Sequence, residues 1–205
     1  MSDFNEQNLE GLLKVFSGTV EAIAALYEKR DPYTAGHQRR VAQLACAIAR
    51  KMGLPEEQIY GIHITGVVHD IGKIAVPSDI LSKTGKLSLE EFNIVKTHPQ
   101  VAYEVLQNLE FPWPVAETIL QHHERLDGSG YPNGISGEAI ILEARILCVA
   151  DVIESMVSHR PYRPALGKEK ALNEILKNKG ILYDPVVADA CSKLSSNGGF
   201  NLDCE

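Results

Sequence analysis

Apolar side chains recur every three or four residues along most of this 205-residue chain, and this spacing limits the possible folds more than any other feature. Between residues 9 and 30, for example, Phe16, Val20 and Ile23 follow a helical period that ends at Pro32. No segment shows the alternation of apolar and polar residues that is typical of a half-buried strand, and no internal repeat is present. The chain is therefore predicted to be all-α.

Signals for helix starts and stops divide the rest of the chain into further helices. Gly53 ends a second helix, and Pro55 begins a third one that ends near Gly72. Ser88 and Glu91 have the spacing of a capping box at the start of another helix. Later helices are predicted over residues 99–109, 115–123 and 142–157, with two short helices after residue 164.

The charge balance excludes some classes of partner. With 20 Lys and Arg against 27 Asp and Glu, the net charge is -7, which argues against binding of long nucleic acids because these need a cationic surface. No apolar run approaches the length of a membrane span, and the first residues lack the basic-then-apolar order of a signal peptide. We therefore expect a cytoplasmic protein without membrane contact.

The cysteines do not indicate a disulfide or zinc framework. They are far apart and show no CxxC spacing: Cys46, Cys148, Cys191 and Cys204. Cys46 and Cys148 lie in apolar helical segments, which predicts that both are small core residues.

Histidine and aspartate dominate the candidate chemistry. Five of the seven histidines stand beside predicted helix ends, prolines or acids, and two aspartates join them to give His37, His69, Asp70, His98, His122, His123 and Asp151. Imidazole and carboxylate together suit iron, manganese, zinc or nickel, and the lack of a thiolate argues against a closed structural zinc site. Open coordination positions for water or substrate are expected.

His69 and Asp70 are adjacent at the predicted end of the third helix. Neighbouring side chains there point about 100° apart, so the histidine can bind one metal while the carboxylate reaches between two. Lys73 lies one turn further on and offers a flexible positive charge for a phosphate oxygen. The alternative is a chance dipeptide followed by a lysine that complements the helix dipole.

The other candidate ligands also occupy unusual positions. His122 and His123 precede a loop rich in Gly, Pro and Asn, which favours a function for the pair. Pro99 disfavours the α conformation at His98 and predicts a bend that directs its ring inward. Asp151 lies in an apolar helix, where an unpaired carboxylate would be costly to bury and a cation would remove that cost.

The order of these motifs resembles the HD-GYP family, a branch of the HD-domain metal-dependent phosphohydrolases. The resemblance runs from about Phe16 to about Leu166 and is carried by five segments: residues 31–37, 69–73, 96–99, 122–132 and 149–163. It implies a compact helical HD-domain bundle with a metal centre between its helices. It also implies an N-terminal helical extension over residues 1–15, an HD-GYP domain over residues 16–184, and a C-terminal helix with a flexible tail over residues 185–205.

The resemblance further implies two groups of metal ligands that share Asp70. One group would be His37, His69, Asp70 and Asp151, and the other Asp70, His98, His122 and His123. Two divalent transition-metal ions are expected, iron or manganese first, with zinc or nickel as alternatives. Some relatives build a third site with a Glu four residues before the first ligand histidine, where this chain has Tyr33. We therefore expect two metals.

By the same resemblance, the expected reaction is hydrolysis of cyclic di-GMP to linear pGpG, with a second cut to GMP left open. Asp70 and Lys73 would be catalytic, and Lys73 would contact the scissile phosphate. The remaining substrate contacts are expected from Tyr131, Arg160, Arg163, Asp31 and Glu154.

Two alternatives stay open. The first is hydrolysis of another cyclic dinucleotide or of a nucleotide. The second is a signalling module that binds cyclic di-GMP with little turnover and contacts a protein partner through the loop Gly130-Tyr131-Pro132. The sequence makes no prediction of the oligomeric state.

Overall fold

The computed structural model describes residues 2–30, 36–159 and 164–196. These residues form ten α-helices and two short 3-10 helices, over Ile71–Ala75 and Gly137–Ala139. The α-helices are α1 Ser2–Arg30, α2 His37–Met52, α3 Glu56–Val68, α4 Ser78–Leu81, α5 Leu89–Val95, α6 His98–Leu106, α7 Val115–Gln121, α8 Leu142–Val157, α9 Lys168–Lys177 and α10 Pro185–Ser196. The described part contains no strand, and a single isolated bridge joins Lys179 to Tyr183. The prediction of an all-α fold is confirmed.

The predicted signals for helix ends and starts are found where expected at the end of α2 and the start of α3. Gly53 follows α2 with a φ of 80°, a left-handed conformation that glycine adopts without a Cβ clash. Pro55 precedes α3, and Glu56 and Glu57 in its first turn complement the helix dipole. The predicted end of this helix near Gly72 is wrong by four residues, because the backbone leaves the helical path at Asp70 (φ -95°, ψ 3°) and continues as the 3-10 helix.

Two further local predictions concern α5 and α6. The capping box at α5 is present: Ser88 accepts from the Glu91 amide at 3.2 Å, and the Glu91 carboxylate accepts from the Ser88 amide at 2.6 Å. The bend expected at His98 lies just before it instead, since His98 is already the first residue of α6 and Pro99 fits the first turn, where no amide partner is needed.

The larger core cluster centres on α2 and α8. Leu44 and Ile48 of α2 pack with Ile59 of α3 and with Ile146 and Leu147 of α8, all at most 2 % exposed. Full burial of each such side chain stabilises the fold by about 1.5–3 kcal/mol. Cys46 and Cys148 are buried in this cluster, as predicted.

A second core cluster lies beneath α1. Val20 and Ala24 on the inner face of α1 pack with residues of α3, α6 and α7, including Val67, Ala102 and Ile119.

No helix in the described part of the chain has the length and apolar character that a membrane span needs. The cellular location stays a prediction, as do the domain boundaries, and residues 197–205 of the predicted tail lie outside the described residues.

The 3-10 helix after α3 is pressed against α6 at Gly72. A Cβ added there would lie 1.9 Å from the carbonyl oxygen of His98 and 2.7 Å from the amide nitrogen of Ala102. Both atoms belong to the backbone, so they cannot rotate away. Only glycine allows the segment that carries His69 and Asp70 to approach the helix that begins with His98.

We expect Gly72→Ala to lower the free energy of unfolding by about 3 kcal/mol, because the added methyl group forces two backbone segments apart. Chemical denaturation followed by circular dichroism measures this change. Gly85→Ala is the matched control, since a Cβ there meets nothing within 4 Å. Equal stability of the two variants would contradict the close-approach explanation.

Candidate metal centre

The seven predicted metal ligands come from five segments that converge between the helices. Six of the seven stand at a helix end or immediately after one, where the chain can turn a side chain inward, and one stands in the middle of a helix. They are His37 at the start of α2, His69 and Asp70 after α3, His98 at the start of α6, His122 and His123 after α7, and Asp151 within α8.

Asp70 lies at the centre of this set and is 1 % exposed. Its Oδ2 is 3.8 Å from His37 Nε2 and 3.6 Å from His69 Nε2, whereas its Oδ1 is 3.4 Å from His98 Nε2. The two oxygens of one carboxylate therefore face two different groups of histidines. Lys73 Nζ lies 2.6 Å from Oδ2, so a positive charge already adjoins the carboxylate.

The potential ligand atoms form two clusters. Within each cluster the atoms lie within 4.8 Å of one another: His37, His69 and Asp70 in the first, and His98, His122 and His123 in the second. Asp151 adjoins the first cluster, with Oδ1 3.3 Å from His37 Nε2. The ring centroids of His69 in the first cluster and His122 in the second are 5.3 Å apart, so the two clusters are adjacent. The structure thus brings all seven predicted ligands together.

Three histidines are oriented by the carbonyl three residues earlier in their own segment. His69 Nδ1 donates to Gly66 at 2.7 Å, His98 Nδ1 to Val95 at 2.7 Å, and His122 Nδ1 to Ile119 at 2.6 Å. A carbonyl only accepts, so the proton is on Nδ1 and the lone pair is on Nε2.

The Nε2 atoms of these three rings are buried and have no hydrogen-bond partner among the residues that the structure describes. A buried acceptor without a partner costs about 1–3 kcal/mol. A metal ion would accept these lone pairs, and an anchored Nδ1 is the usual support of a metal-binding histidine. The residues present therefore fit a metal centre.

His37 is oriented by a carboxylate instead. Its Nδ1 donates to Glu154 Oε2, while Glu154 Oε1 accepts from Arg40 Nε at 2.7 Å and from Ser158 Oγ at 2.6 Å. Glu154 is 2 % exposed, and these contacts give it a positioning role behind His37. Its predicted contact with substrate stays a prediction.

Tyr131 lies beside the second cluster, in contact with His123. Its ring stacks on His123 with centroids 4.7 Å apart, and Phe92 packs edge-on at 6.4 Å. The Lys96 ammonium lies 5.6 Å from the Tyr131 centroid and 4.9 Å from the Phe92 centroid. The residue predicted to approach a nucleotide thus lies directly against a predicted metal ligand, with a cation and a second aromatic ring nearby.

Glu124 fixes the loop that carries Tyr131, a role that sequence reasoning missed. Its Oε1 accepts from the amides of Asn133 at 2.8 Å and Gly134 at 3.1 Å. Gly130 passes so close that a Cβ would lie 2.4 Å from the Glu124 Cα. The available signal was an acid directly after a histidine pair and before a Gly-rich loop, where free amides need an acceptor.

Four residues discussed for the metal centre or its substrate lie outside the described residues: Asp31, Tyr33, Arg160 and Arg163. Lys73 is described, and its side chain, 16 % exposed, lies against Asp70.

A family model described as "HD domain" matches residues 21–187, which is most of the chain. The chain belongs to the HD domain family. A solved structure titled as a HDG"Y"P protein from Bdellovibrio bacteriovorus has the same fold, with a TM-score of 0.65 at 19% identity over 78% of this chain and 51% of that one. The family predicted from the motifs is confirmed.

Three curated relatives match this HD domain. A cyclic di-GMP phosphodiesterase response regulator of Xanthomonas campestris is 42% identical over 84% of this chain and 46% of its own length. A cyclic di-GMP phosphodiesterase of Thermotoga maritima is 41% identical over 85% and 48%. A 3'3'-cGAMP-specific phosphodiesterase of Vibrio cholerae is 36% identical over 85% and 38%. The chain spans less than half the length of these relatives.

Burial keeps the histidines of the second cluster of the HD domain neutral. It is the largest influence on both His98 and His122, and it lowers the pKa of His98 to about 4. Together with the neighbouring imidazoles it lowers the pKa of His122 to about 3. The pKa of His123 falls well below its ordinary value for the same reasons. Neutral imidazole is the form that binds metals, so these side chains need not release a proton first.

The carboxylates of the HD domain centre are held ionised. Burial alone would raise the pKa of Asp70, but Lys73 and the surrounding histidines outweigh it and hold the pKa well below the usual range. Burial is likewise outweighed at Asp151, where His37 is the main partner that lowers the pKa. At Glu154 the hydrogen bond from His37 outweighs burial and lowers the pKa to about 2. At neutral pH the centre therefore combines anionic oxygens with the neutral imidazoles of the second cluster.

We expect Glu154→Ala to weaken Mn²⁺ binding by about 10- to 100-fold, because it removes the group that orients His37 and supports its basicity. Glu154→Gln should recover part of this loss, since an amide oxygen still accepts from Nδ1. Titration with Mn²⁺ followed by electron paramagnetic resonance measures the affinity. Glu143→Gln on the same helix, whose carboxylate accepts from Gln58, is the control. Wild-type affinity in Glu154→Ala would refute the positioning role.

The metal-free HD domain should lose thermal stability as the pH falls from 6.5 toward 4. In this window unfolded histidines, with a pKa near 6.5, take up protons that folded His98 and His122 do not, so acid favours unfolding. The raised pKa of His37 acts in the opposite sense at one position. Melting curves in EDTA across this range test the prediction.

His122→Asn should flatten that pH dependence, because the variant lacks one of the neutral buried imidazoles. His159→Asn, at an exposed position, should keep the wild-type slope. A pH-independent melting temperature for the wild-type metal-free protein would contradict the assignment of buried neutral histidines.

Proposed function

We propose that this HD domain is a two-metal phosphodiesterase that hydrolyses cyclic di-GMP. The observation that carries the proposal is the placement of Asp70, whose Oδ2 faces His37 and His69 while its Oδ1 faces His98. One carboxylate in this position suits a bridge between two metal ions, and paired ions about 3.5–4 Å apart are the usual means of cleaving phosphate esters.

In the proposed centre, His37, His69, Asp70 and Asp151 hold one ion, and Asp70, His98, His122 and His123 hold the other. The mixture of imidazole and carboxylate favours iron or manganese, with zinc or nickel as alternatives. The bound ions would supply a water of lowered pKa and positive charge beside the phosphate oxygens. Tyr33 in place of an acid supports two ions rather than three, because a phenol is protonated at neutral pH.

Different side chains around the centre are proposed to bind different parts of the substrate. Lys73, held at Asp70 with its side chain 16 % exposed, places a positive charge where a phosphate oxygen would approach the bridge. Tyr131, stacked on His123, offers a flat surface beside the second cluster for a base or sugar. Arg160 and Arg163 are proposed to hold the second phosphate or a guanine edge by bidentate contacts.

The choice of cyclic di-GMP rests on the relatives at 42% and 41% identity that carry this activity in their names. Cleavage of one phosphodiester would release a 3′ oxygen and give linear pGpG, and a second cut would give GMP. A second candidate substrate is 3'3'-cGAMP, favoured by the relative at 36% identity that is named for it. A protein partner at Gly130-Tyr131-Pro132 and a cytoplasmic location are further proposals.

Asp70→Ala should lose both metals and all turnover, because the proposed bridge is shared, whereas His37→Ala should lose about one equivalent of metal. Metal content by mass spectrometry and product analysis with cyclic di-GMP and 3'3'-cGAMP, under anaerobic and aerobic conditions, measure both effects. Asp79→Ala, on α4 and not a member of either cluster, is the control. Two equivalents of metal in Asp70→Ala would rule out the bridge, and binding of cyclic di-GMP without metal-dependent turnover would favour a signalling module.

A further inference from the structure

Lys96, directly after the last residue of α5, carries a charge that no described carboxylate pairs with. Two other lysines of this region are paired. Lys73 Nζ lies 2.6 Å from an oxygen of Asp70, and Lys83 Nζ lies 2.6 Å from an oxygen of Glu91. Among the described residues, the Lys96 ammonium is therefore available to a ligand.

The Lys96 ammonium lies in a corner between two aromatic rings. Its Nζ is 4.9 Å from the Phe92 centroid and 5.6 Å from the Tyr131 centroid. The two rings meet at an angle of 80°, and Tyr131 is itself stacked on His123 of the second cluster. We call Phe92, Lys96 and Tyr131 the aromatic corner, and it adjoins the proposed metal centre.

Phe92 provides the open side of the aromatic corner. It is 41 % exposed, and together with residues 85–89 it lines a cavity of about 510 Å³. Cavities of this size accept small molecules. The corner therefore has room for a flat ligand that stacks on Phe92 and reaches the ammonium with one edge.

The chemistry of the aromatic corner favours a base over a phosphate. The face of an aromatic ring is the negative side of its quadrupole, so the rings of Phe92 and Tyr131 disfavour an anion placed against them. The same faces accept a stacked purine. A phosphate that approaches the bridging carboxylate would meet Lys73 instead, which lies against Asp70.

The ammonium distinguishes the two purines by the hydrogen bonds that it can make. An ammonium donates and cannot accept. Guanine presents two acceptors, O6 and N7, on one edge, whereas adenine has an amino group that donates in place of O6. Lys96 can therefore bind the edge of guanine, but it would face another donor on the edge of adenine.

We propose that the aromatic corner is a guanine subsite in which Lys96 selects guanine over adenine. The inference rests on the proposed phosphodiesterase function, since the guanine belongs to a cyclic dinucleotide. The base stacks on Phe92, and the flexible Lys96 side chain turns from the rings to donate to O6 and N7. Lys96 is thus a specificity-determining residue.

The products of 3'3'-cGAMP cleavage test this choice within one ligand. Release of the guanosine 3′ oxygen gives pApG, and release of the adenosine 3′ oxygen gives pGpA. A corner that holds the guanine presents the two bonds unequally to the metal centre, so the wild type should form one product in about tenfold excess. Lys96→Met should bring the two products toward equal amounts, whereas Lys96→Arg keeps the donors and should keep the excess.

Chromatography against synthetic pApG and pGpA measures the product ratio. Equal amounts from the wild-type chain, or an unchanged excess in Lys96→Met, would overturn the guanine subsite. Circular dichroism of each variant separates a lost preference from a lost fold.

Binding without turnover gives a second readout. In EDTA, isothermal titration calorimetry of the wild type should show about tenfold tighter binding of cyclic di-GMP than of cyclic di-AMP. Lys96→Met should bring this ratio to about one, because it removes the donor. Phe92→Ala should weaken both ligands by a similar factor, because it removes the stacking surface.

Lys177→Met is the matched control, since it removes an exposed lysine charge at the end of α9. It should keep the wild-type preference, and an equal loss in Lys177→Met and Lys96→Met would show that net charge rather than the aromatic corner sets the preference.

The two readouts also separate this inference from the proposed function. A wild-type chain that neither binds nor cleaves any of these cyclic dinucleotides would refute the phosphodiesterase proposal itself, and the subsite with it. A chain that cleaves cyclic di-GMP but keeps its preference for guanine in Lys96→Met would refute the subsite alone.

Discussion

The structure depends on one buried carboxylate. Asp70 lies where the third helix stops, and its two oxygens face histidines from three different segments. An ionised group this deep is tolerated only among compensating charges and hydrogen bonds. Here those are the Lys73 ammonium on one side and the surrounding imidazoles, with any cation they bind, on the other. The packing of α2, α6 and α7 around the end of α3 keeps those groups within reach of the carboxylate.

Much of the fold was predictable from local patterns. The apolar period predicted the helices, and Gly53, Pro55 and the Ser88–Glu91 capping box marked three of their boundaries as the structure has them. The errors in the predicted helix ends occur at the candidate metal ligands. The third helix ends at Val68 and the seventh at Gln121; His69 and His122, which follow them, still have helical backbone angles, and after His69 the chain departs from the helix at Asp70. Helical periodicity does not encode such departures, since they depend on contacts between segments distant in sequence.

The ligand residues of the candidate centre were predictable from the sequence, but the residues that orient them and the neighbouring loop were not. Histidines and aspartates beside helix ends indicated a metal site, and all seven converge. The hydrogen bond from His37 to Glu154 spans 117 residues, so no local pattern could reveal it. The role of Glu124 depends on the path of the loop that returns past it. Both acids hold their neighbours through backbone or side-chain partners that only the folded chain brings together.

The anchoring of three histidines to their own preceding turn has a consequence for how the domain tolerates change. His69, His98 and His122 each move as one piece with a short rigid segment, because the carbonyl that orients the ring lies only three residues away. The orientation of each ring is therefore a local property, whereas the spacing between rings is set by the packing of helices far from the centre. A core substitution that slides one helix by a fraction of an ångström would leave these three rings correctly turned yet displaced from their neighbours. The packing of the domain interior thus sets the distances between the ligand rings. Its side-chain volumes are therefore constrained by ligand spacing as well as by stability.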